Sequence, residues 1–317
     1  MNVIDFFQSV DVVLSDKLLE ILYILIGLVA CYTGIKNLLD KENSKRYGTA
    51  IFWCTLGILF VIGKWIPPLW TGILMIIMVL PPIFKQVGKG KVDVPGHEEM
   101  ETNYRRIGMK IFIPALCIGV FALLFALFTK ISSLVGIGVG VLVAIMVLML
   151  YSRNNKPQVF LNDSRRMLDI VGPLSMLPIL LASLGAIFTA AGVGEVISGL
   201  VSNVIPTGNV TIGIIVYAIG MALFTMIMGN ACAAITVMTV GIGAPFVLSL
   251  GADPVLIGSL ALTCGYCGTL CTPMAANFNI VPVAILEIKD KNLVIKKQVL
   301  IAVIMLVIQI CYMIALS

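Results

Sequence analysis

The chain has 317 residues, of which 60% are apolar and only 12% charged, with a net charge of +5 and a mean hydropathy of +1.08. A soluble domain carries about 25% charged residues, so this chain lacks the charge to cover a globular surface. A cytosolic enzyme, a nucleic-acid binder and a disordered chain are excluded, and an all-α polytopic membrane protein in a lipid bilayer is expected.

Residues 1–18 place Asp5, Asp11 and Asp16 where a signal peptide would carry a basic start and an apolar core. They read as a retained, short amphipathic peripheral segment beside the membrane or against a partner. About ten transmembrane helices follow, each needing about 20 apolar residues. The apolar runs are Leu19–Ile35, Tyr47–Gly63, Trp65–Phe84, Ile111–Thr129 and Ile131–Tyr151 in the first half. Leu168–Ala190, Val210–Met228, Ala231–Leu250, Pro254–Cys271 and Leu300–Leu316 complete the set. Continuous runs favour helices over the alternation of a barrel.

Of 21 basic residues, 18 fall in the loops after the first, third and fifth runs and before the last. Positive loops stay cytoplasmic, so both termini are expected outside. Residues 19–166 hold about five ordinary spans and read as a scaffold. Residues 167–317 read as a transport core of about five helices with broken or re-entrant segments. From Met167 to Ile288 there is no Lys or Arg, and the only acids are Asp169, Glu195, Asp253 and Glu287. No internal repeat is visible.

The 41-residue run Val210–Leu250 is about 60 Å of helix, enough for two crossings, and its only central break is Gly229-Asn230. So short a break implies a re-entrant turn or broken helix at membrane depth. There Asn230 would cap a half-helix or contact a solute. A second break is expected in Gly265–Asn279, where Pro273 cannot continue a helix and Gly265 and Gly268 loosen it. Thr269, Thr272, Asn277 and Asn279 cluster there as candidate solute contacts, with Tyr266 nearby. Freed N–H groups at a half-helix start carry partial positive charge and can hold a carboxylate without Arg or Lys. The competing expectation is a packing kink with its amides bonded to neighbouring helices.

Glu195, after Ala191-Gly192-Val193-Gly194, is a candidate cation-coupling acid or an interfacial residue. Asp169 and Glu287 adjoin basic loops and are expected to be solvated. Gly136 and Gly140 form a small-xxx-small packing face rather than a nucleotide loop. His97, Glu98, Glu99 and Glu101 read as a solvated charged loop without metal-ligand spacing. The cysteines, including Cys264, Cys267 and Cys271 on one helix face, read as small packing residues. No Walker A, HExxH or GxSxG pattern is present. Neither ATP-driven transport nor hydrolysis is supported, and no cofactor or metal is expected.

Met221–Ala231, Gly265–Pro282, Ile21–Gly27, Lys110–Leu116 and Phe188–Val196 resemble a bacterial family, once a domain of unknown function, of membrane subunits of 5-oxoproline (pyroglutamate) transporters. The resemblance runs from about Leu19 to Leu316. It implies a bacterial cytoplasmic-membrane protein, a second membrane subunit and uptake of 5-oxoproline, and a distant likeness to transporter folds with paired re-entrant hairpins. That solute is a small anion with a lactam N–H and C=O, which backbone N–H groups, Thr hydroxyls and Asn amides would match. Its entry into an inside-negative cell is opposed by about 2.3 kcal/mol per 100 mV, so coupling to H+ or Na+, or exchange, is expected. A channel-like facilitator and a non-transporting structural subunit remain the other classes.

Overall fold

The computed structural model describes residues 3–88, 90, 96–151, 156–202, 205–206 and 208–317, with the backbone alone at 97, 99, 173, 175–179 and 182. Lys89, Lys91 and Arg153, three of the loop cations counted above, lie outside the described residues. All regular structure among the described residues is helical. The chain divides into two compact units, Met1–Ile170 and Val171–Ser317.

The first unit holds α1 (Val3–Gln8), α2 (Leu14–Leu39), α3 (Arg46–Ile62), α4 (Pro68–Ile83), α5 (His97–Ile107), α6 (Phe112–Phe128) and α7 (Ser133–Tyr151). The start of α8 (Pro157–Ala190) completes it. The first spanning helix begins at Leu14 rather than Leu19, so only α1 and the turn after it stand apart from it. Asp16 in its first turn complements the positive helix end, and this extends the helix into polar sequence. Phe6 of α1 is buried beneath Lys64, whose ammonium lies 3.7 Å from the ring centroid. Lys64 also pairs at 3.2 Å with Glu20, an acid only 6% exposed inside the first apolar run.

Three expectations meet the first unit directly. Gly136 and Gly140 do form a close-packing face, because a Cβ on either would come within 2.7 Å of α6. The segment from His97 is a helix, not a loop. Charge alone does not oppose a helix, and Arg105 pairs with Glu101 one turn earlier at 2.7 Å. Asp169 is not solvated but 4% exposed. It accepts from the Asn37 amide at 2.8 Å and the Gly90 N–H at 3.4 Å, beside Arg165, which also holds Asp40 at 2.9 Å. Proximity to a basic loop suggested solvent; partners from α2 and the loop near residue 90 instead enclose it. Glu287 is exposed, as expected.

The second unit holds the rest of α8, α9 (Val193–Val201), α10 (Val210–Met228), α11 (Ala231–Met238), a π-turn at Thr239–Gly243 and α12 (Ala244–Phe246). After these come α13 (Pro254–Leu270), α14 (Ala276–Ile285) and α15 (Leu293–Leu316). The ends follow local chemistry. Asn209 accepts from the Ile212 N–H at the start of α10, and Asp253 caps α13 ahead of Pro254. The core joins Ile214, Tyr217 and Met221 of α10 to Ala234 and Met238 of α11, and to Ile257, Ala261 and Cys264 of α13.

Among the described residues, six helical segments are individually long and apolar enough to cross a membrane, and the end of α8 with α9 forms a further pair bent by 67°. This is fewer than the ten runs in the sequence. The helices α3, α4 and α13 are 16 or 17 residues long, about 25 Å at 1.5 Å per residue. That falls short of the roughly 30 Å hydrocarbon layer. The protein has the character of a multi-pass membrane protein.

Candidate functional site

Both expected interruptions are present in the second unit, and they touch. Helix α10 stops at Met228 because Gly229 takes a left-handed φ of 66°, and its N–H returns to the Thr225 carbonyl. Helix α11 restarts at Ala231 under an Asn230 cap. The second break runs from Cys271 to Ala275, between α13 and α14. A Cβ on Gly229 would stand 2.6 Å from the Met274 carbonyl group, so only glycine admits this approach. The Thr272 hydroxyl donates to the Met226 carbonyl at 2.8 Å and accepts from the Met274 N–H at 3.2 Å. One side chain therefore ties one break to the other.

The polar residues separate by where their bonding groups go. The Asn230 Oδ1 accepts from the Cys232 and Ala233 N–H groups at 2.9 and 3.3 Å. Its carbonyl oxygen caps α11 and its Nδ2 has no partner among the described residues. Thr269 is buried and donates to its own helix at Tyr266. Asn279 is fully buried, and its Nδ2 donates to the Thr269 carbonyl at 2.8 Å and the Thr272 carbonyl at 2.6 Å. This follows from Pro273. The Thr269 carbonyl would take the N–H of residue 273 in a helix, and proline has none. Asn279 supplies the missing donor.

Asn277 alone among these residues is exposed, and its side chain makes no hydrogen bond among the described residues. It lies in the first turn of α14, which has no side-chain cap. The Ala276 and Asn277 N–H groups there have no acceptor among the described residues. Tyr266, 40% exposed, reaches the Cys232 thiol in the first turn of α11, oxygen to sulfur 4.0 Å.

Gly268 does not form part of a break. It lies inside α13, where a Cβ would run into the Ala222 carbonyl of α10; its role is helix contact, which sequence alone cannot tell from flexibility. Glu195 stands apart from the two breaks. It is exposed in the first turn of α9 and lines an open groove of about 550 Å³ with Ser198, Ser202, Val240 and Pro245. Cys264 and Cys267 are buried, Cys271 lies just past the end of α13, and all eight cysteines are free thiols. Among the described residues no group of His, Cys, Asp and Glu could hold a metal ion.

Sequence reading missed Thr225. It is fully buried on α10, and its hydroxyl has no partner among the described residues. Its position four residues before Gly229 was the available signal.

Residues 20–317 match the model of a family described as a protein of unknown function, DUF979. The chain belongs to that family. No curated protein and no solved structure matches it.

Proposed function

We propose that this member of the DUF979 family is a subunit of a secondary transporter for a small carboxylate, with 5-oxoproline as solute. The observation that carries the reading is the open N-terminus of α14, bearing exposed Asn277, at the junction of two helix breaks. An uncapped helix start offers N–H donors and partial positive charge to an anion. Residues 167–288 contain no Lys or Arg to compete for that role. The Asn277 amide adds a donor for the carboxylate or lactam carbonyl and an acceptor for the lactam N–H. Irregular backbone at membrane depth belongs in a protein interior or a wet cavity, and transporters place solutes at such broken helices.

The six long segments, the bent α8–α9 pair and the shorter apolar helices together make about ten crossings or partial crossings of the bacterial cytoplasmic membrane. Both termini face outward, as the basic loops require. Uptake is driven by H+ or Na+, with exposed Glu195 as a coupling acid. A second membrane subunit completes the transporter.

Reconstitution into liposomes tests this, with and without the partner subunit, using labelled 5-oxoproline. Concentrative uptake under an ion gradient supports a coupled carrier. Equilibration without concentration identifies a facilitator, and no flux in either arrangement removes the transport reading. Asn277→Ala at matched expression should lower affinity roughly 2- to 150-fold, from about 0.5–3 kcal/mol for one hydrogen bond. Unchanged affinity would place the solute elsewhere.

A further inference from the structure

We infer that the second unit carries a site for a dehydrated monovalent cation, sodium in particular, at the C-terminal ends of α10 and α13, with Thr225 Oγ1 and Asn279 Oδ1 as ligands. This rests on the transporter reading only in assigning the cation a coupling role; binding itself does not depend on the solute.

Two buried oxygens start the argument. Asn279 is fully buried and its Oδ1 has no donor among the described residues. The amide cannot be turned over to cure this. Both partners of Nδ2 are carbonyl oxygens, those of Thr269 and Thr272. They demand the donor end of the amide, and so fix Oδ1 as the unmet acceptor. Thr225 is equally buried, and its Oγ1 is unpartnered among the described residues although helical threonines ordinarily donate to the preceding turn. An unmet buried polar group is costly, and two beside one helix junction call for a common explanation.

The two oxygens belong to one neighbourhood. A Cβ on Gly265 of α13 would lie 3.1 Å from Thr225 Oγ1. One turn further along α13, the Thr269 carbonyl receives Asn279. Asn279 also holds the Thr272 carbonyl, and the Thr272 hydroxyl holds Met226, the residue after Thr225.

The chemistry selects the ligand. Both atoms are neutral hard oxygens, which suit a hard cation. Divalent ions are bound chiefly through carboxylates, and none of the four acids of residues 167–288 lies in this set of contacts. A single positive charge is the least costly to bury. It would also sit at two helix C-termini, α10 at Met228 and α13 at Leu270, whose carbonyls carry partial negative charge. Asn279 is the fourth residue of α14, yet its amide reaches back to the Thr269 and Thr272 carbonyls at the end of α13, so the cation would sit there while the exposed Asn277 end of α14 is left to an anion. Such a division is how half-helices serve ion and solute together.

The test uses the purified full chain in detergent, without solute. Its melting temperature is measured in NaCl, KCl and N-methyl-D-glucamine chloride at constant ionic strength. A ligand that binds only the folded state raises the melting temperature in a saturable way. Sodium is expected to do so selectively. Thr225→Val keeps the side-chain shape and breaks no hydrogen bond, so it should fold, and the sodium shift should vanish. Thr225→Ser should keep the shift. Equal melting in all three salts for the natural chain overturns the site, as does a full sodium shift in Thr225→Val. Sodium-independent 5-oxoproline uptake with no sodium shift would remove this inference and leave the transporter intact. A sodium shift without any solute flux would do the reverse.

Discussion

Replacing Asn279 by alanine removes two donated hydrogen bonds, at 2.8 Å to the Thr269 carbonyl and 2.6 Å to that of Thr272. The Thr269 carbonyl has no substitute donor in its own helix, because position 273 is proline. An orphaned buried acceptor costs about 1–3 kcal/mol, giving about 2–6 kcal/mol for the pair. Measured side-chain bonds between membrane helices average about 0.6 kcal/mol, which sets a floor near 1 kcal/mol. Losing the unmet Oδ1 returns part of the cost. We expect Asn279→Ala to destabilise the purified chain by about 1–4 kcal/mol. The assay is reversible unfolding in mixed detergent, with Asn277→Ala alongside. Asn277 is exposed and makes no side-chain hydrogen bond among the described residues, so its variant should unfold with the natural chain. Equal stability of the two variants would refute the assignment of Asn279 to the break and of Asn277 to the solvent face.

Gly229→Ala should cost at least about 1–2 kcal/mol from the left-handed φ of 66° alone, and more from the approach to Met274. Thermal melting at or above that of the natural chain would show that the two breaks do not touch. With Glu195 as the coupling acid, Glu195→Gln should abolish the dependence of reconstituted uptake on an H+ or Na+ gradient while solute exchange survives; with coupling at the Thr225–Asn279 site, Thr225→Val should do so instead. Undiminished gradient-driven uptake would reduce Glu195 to an interfacial residue of the α9 groove. A chain that loses gradient dependence through Thr225→Val but not through Glu195→Gln would place coupling at the breaks.

The breaks were legible because glycine and proline act on the backbone locally. Pro273 removes a donor whatever surrounds it, and Gly229 permits a left-handed turn that other residues resist. The existence of helices was legible for a similar reason, since apolar runs of fixed length carry their own signal. What packing decides was not legible. Gly268 looks the same in sequence whether it loosens a helix or admits the Ala222 carbonyl, and the contact lies 46 residues away. Asp169 looked solvated because its basic neighbours were in view, whereas Asn37, 132 residues distant, was not. Helix α3 is apolar enough to span but ends at Ile62 with only 17 residues, a limit that composition does not mark sharply.

The two expectations for the Pro273 segment, a solute site and a packing kink, are not rivals once the bonding groups are followed. A kink needs its freed carbonyls met, and the chain meets them with its buried polar groups. Thr272 serves Met226, and Asn279 serves Thr269 and Thr272. These residues are structural because the break would otherwise leave carbonyls bare in a dry interior. A kink alone would not require an exposed asparagine in the first turn of α14, nor leave that turn without a cap. Nor would it leave the Thr225 and Asn279 oxygens buried and without a partner among the described residues. The polar groups left over after the break is satisfied are the N–H donors at the start of α14 and two buried oxygens, those of Thr225 and Asn279. An anion and a cation are the ligands proposed for those two sets.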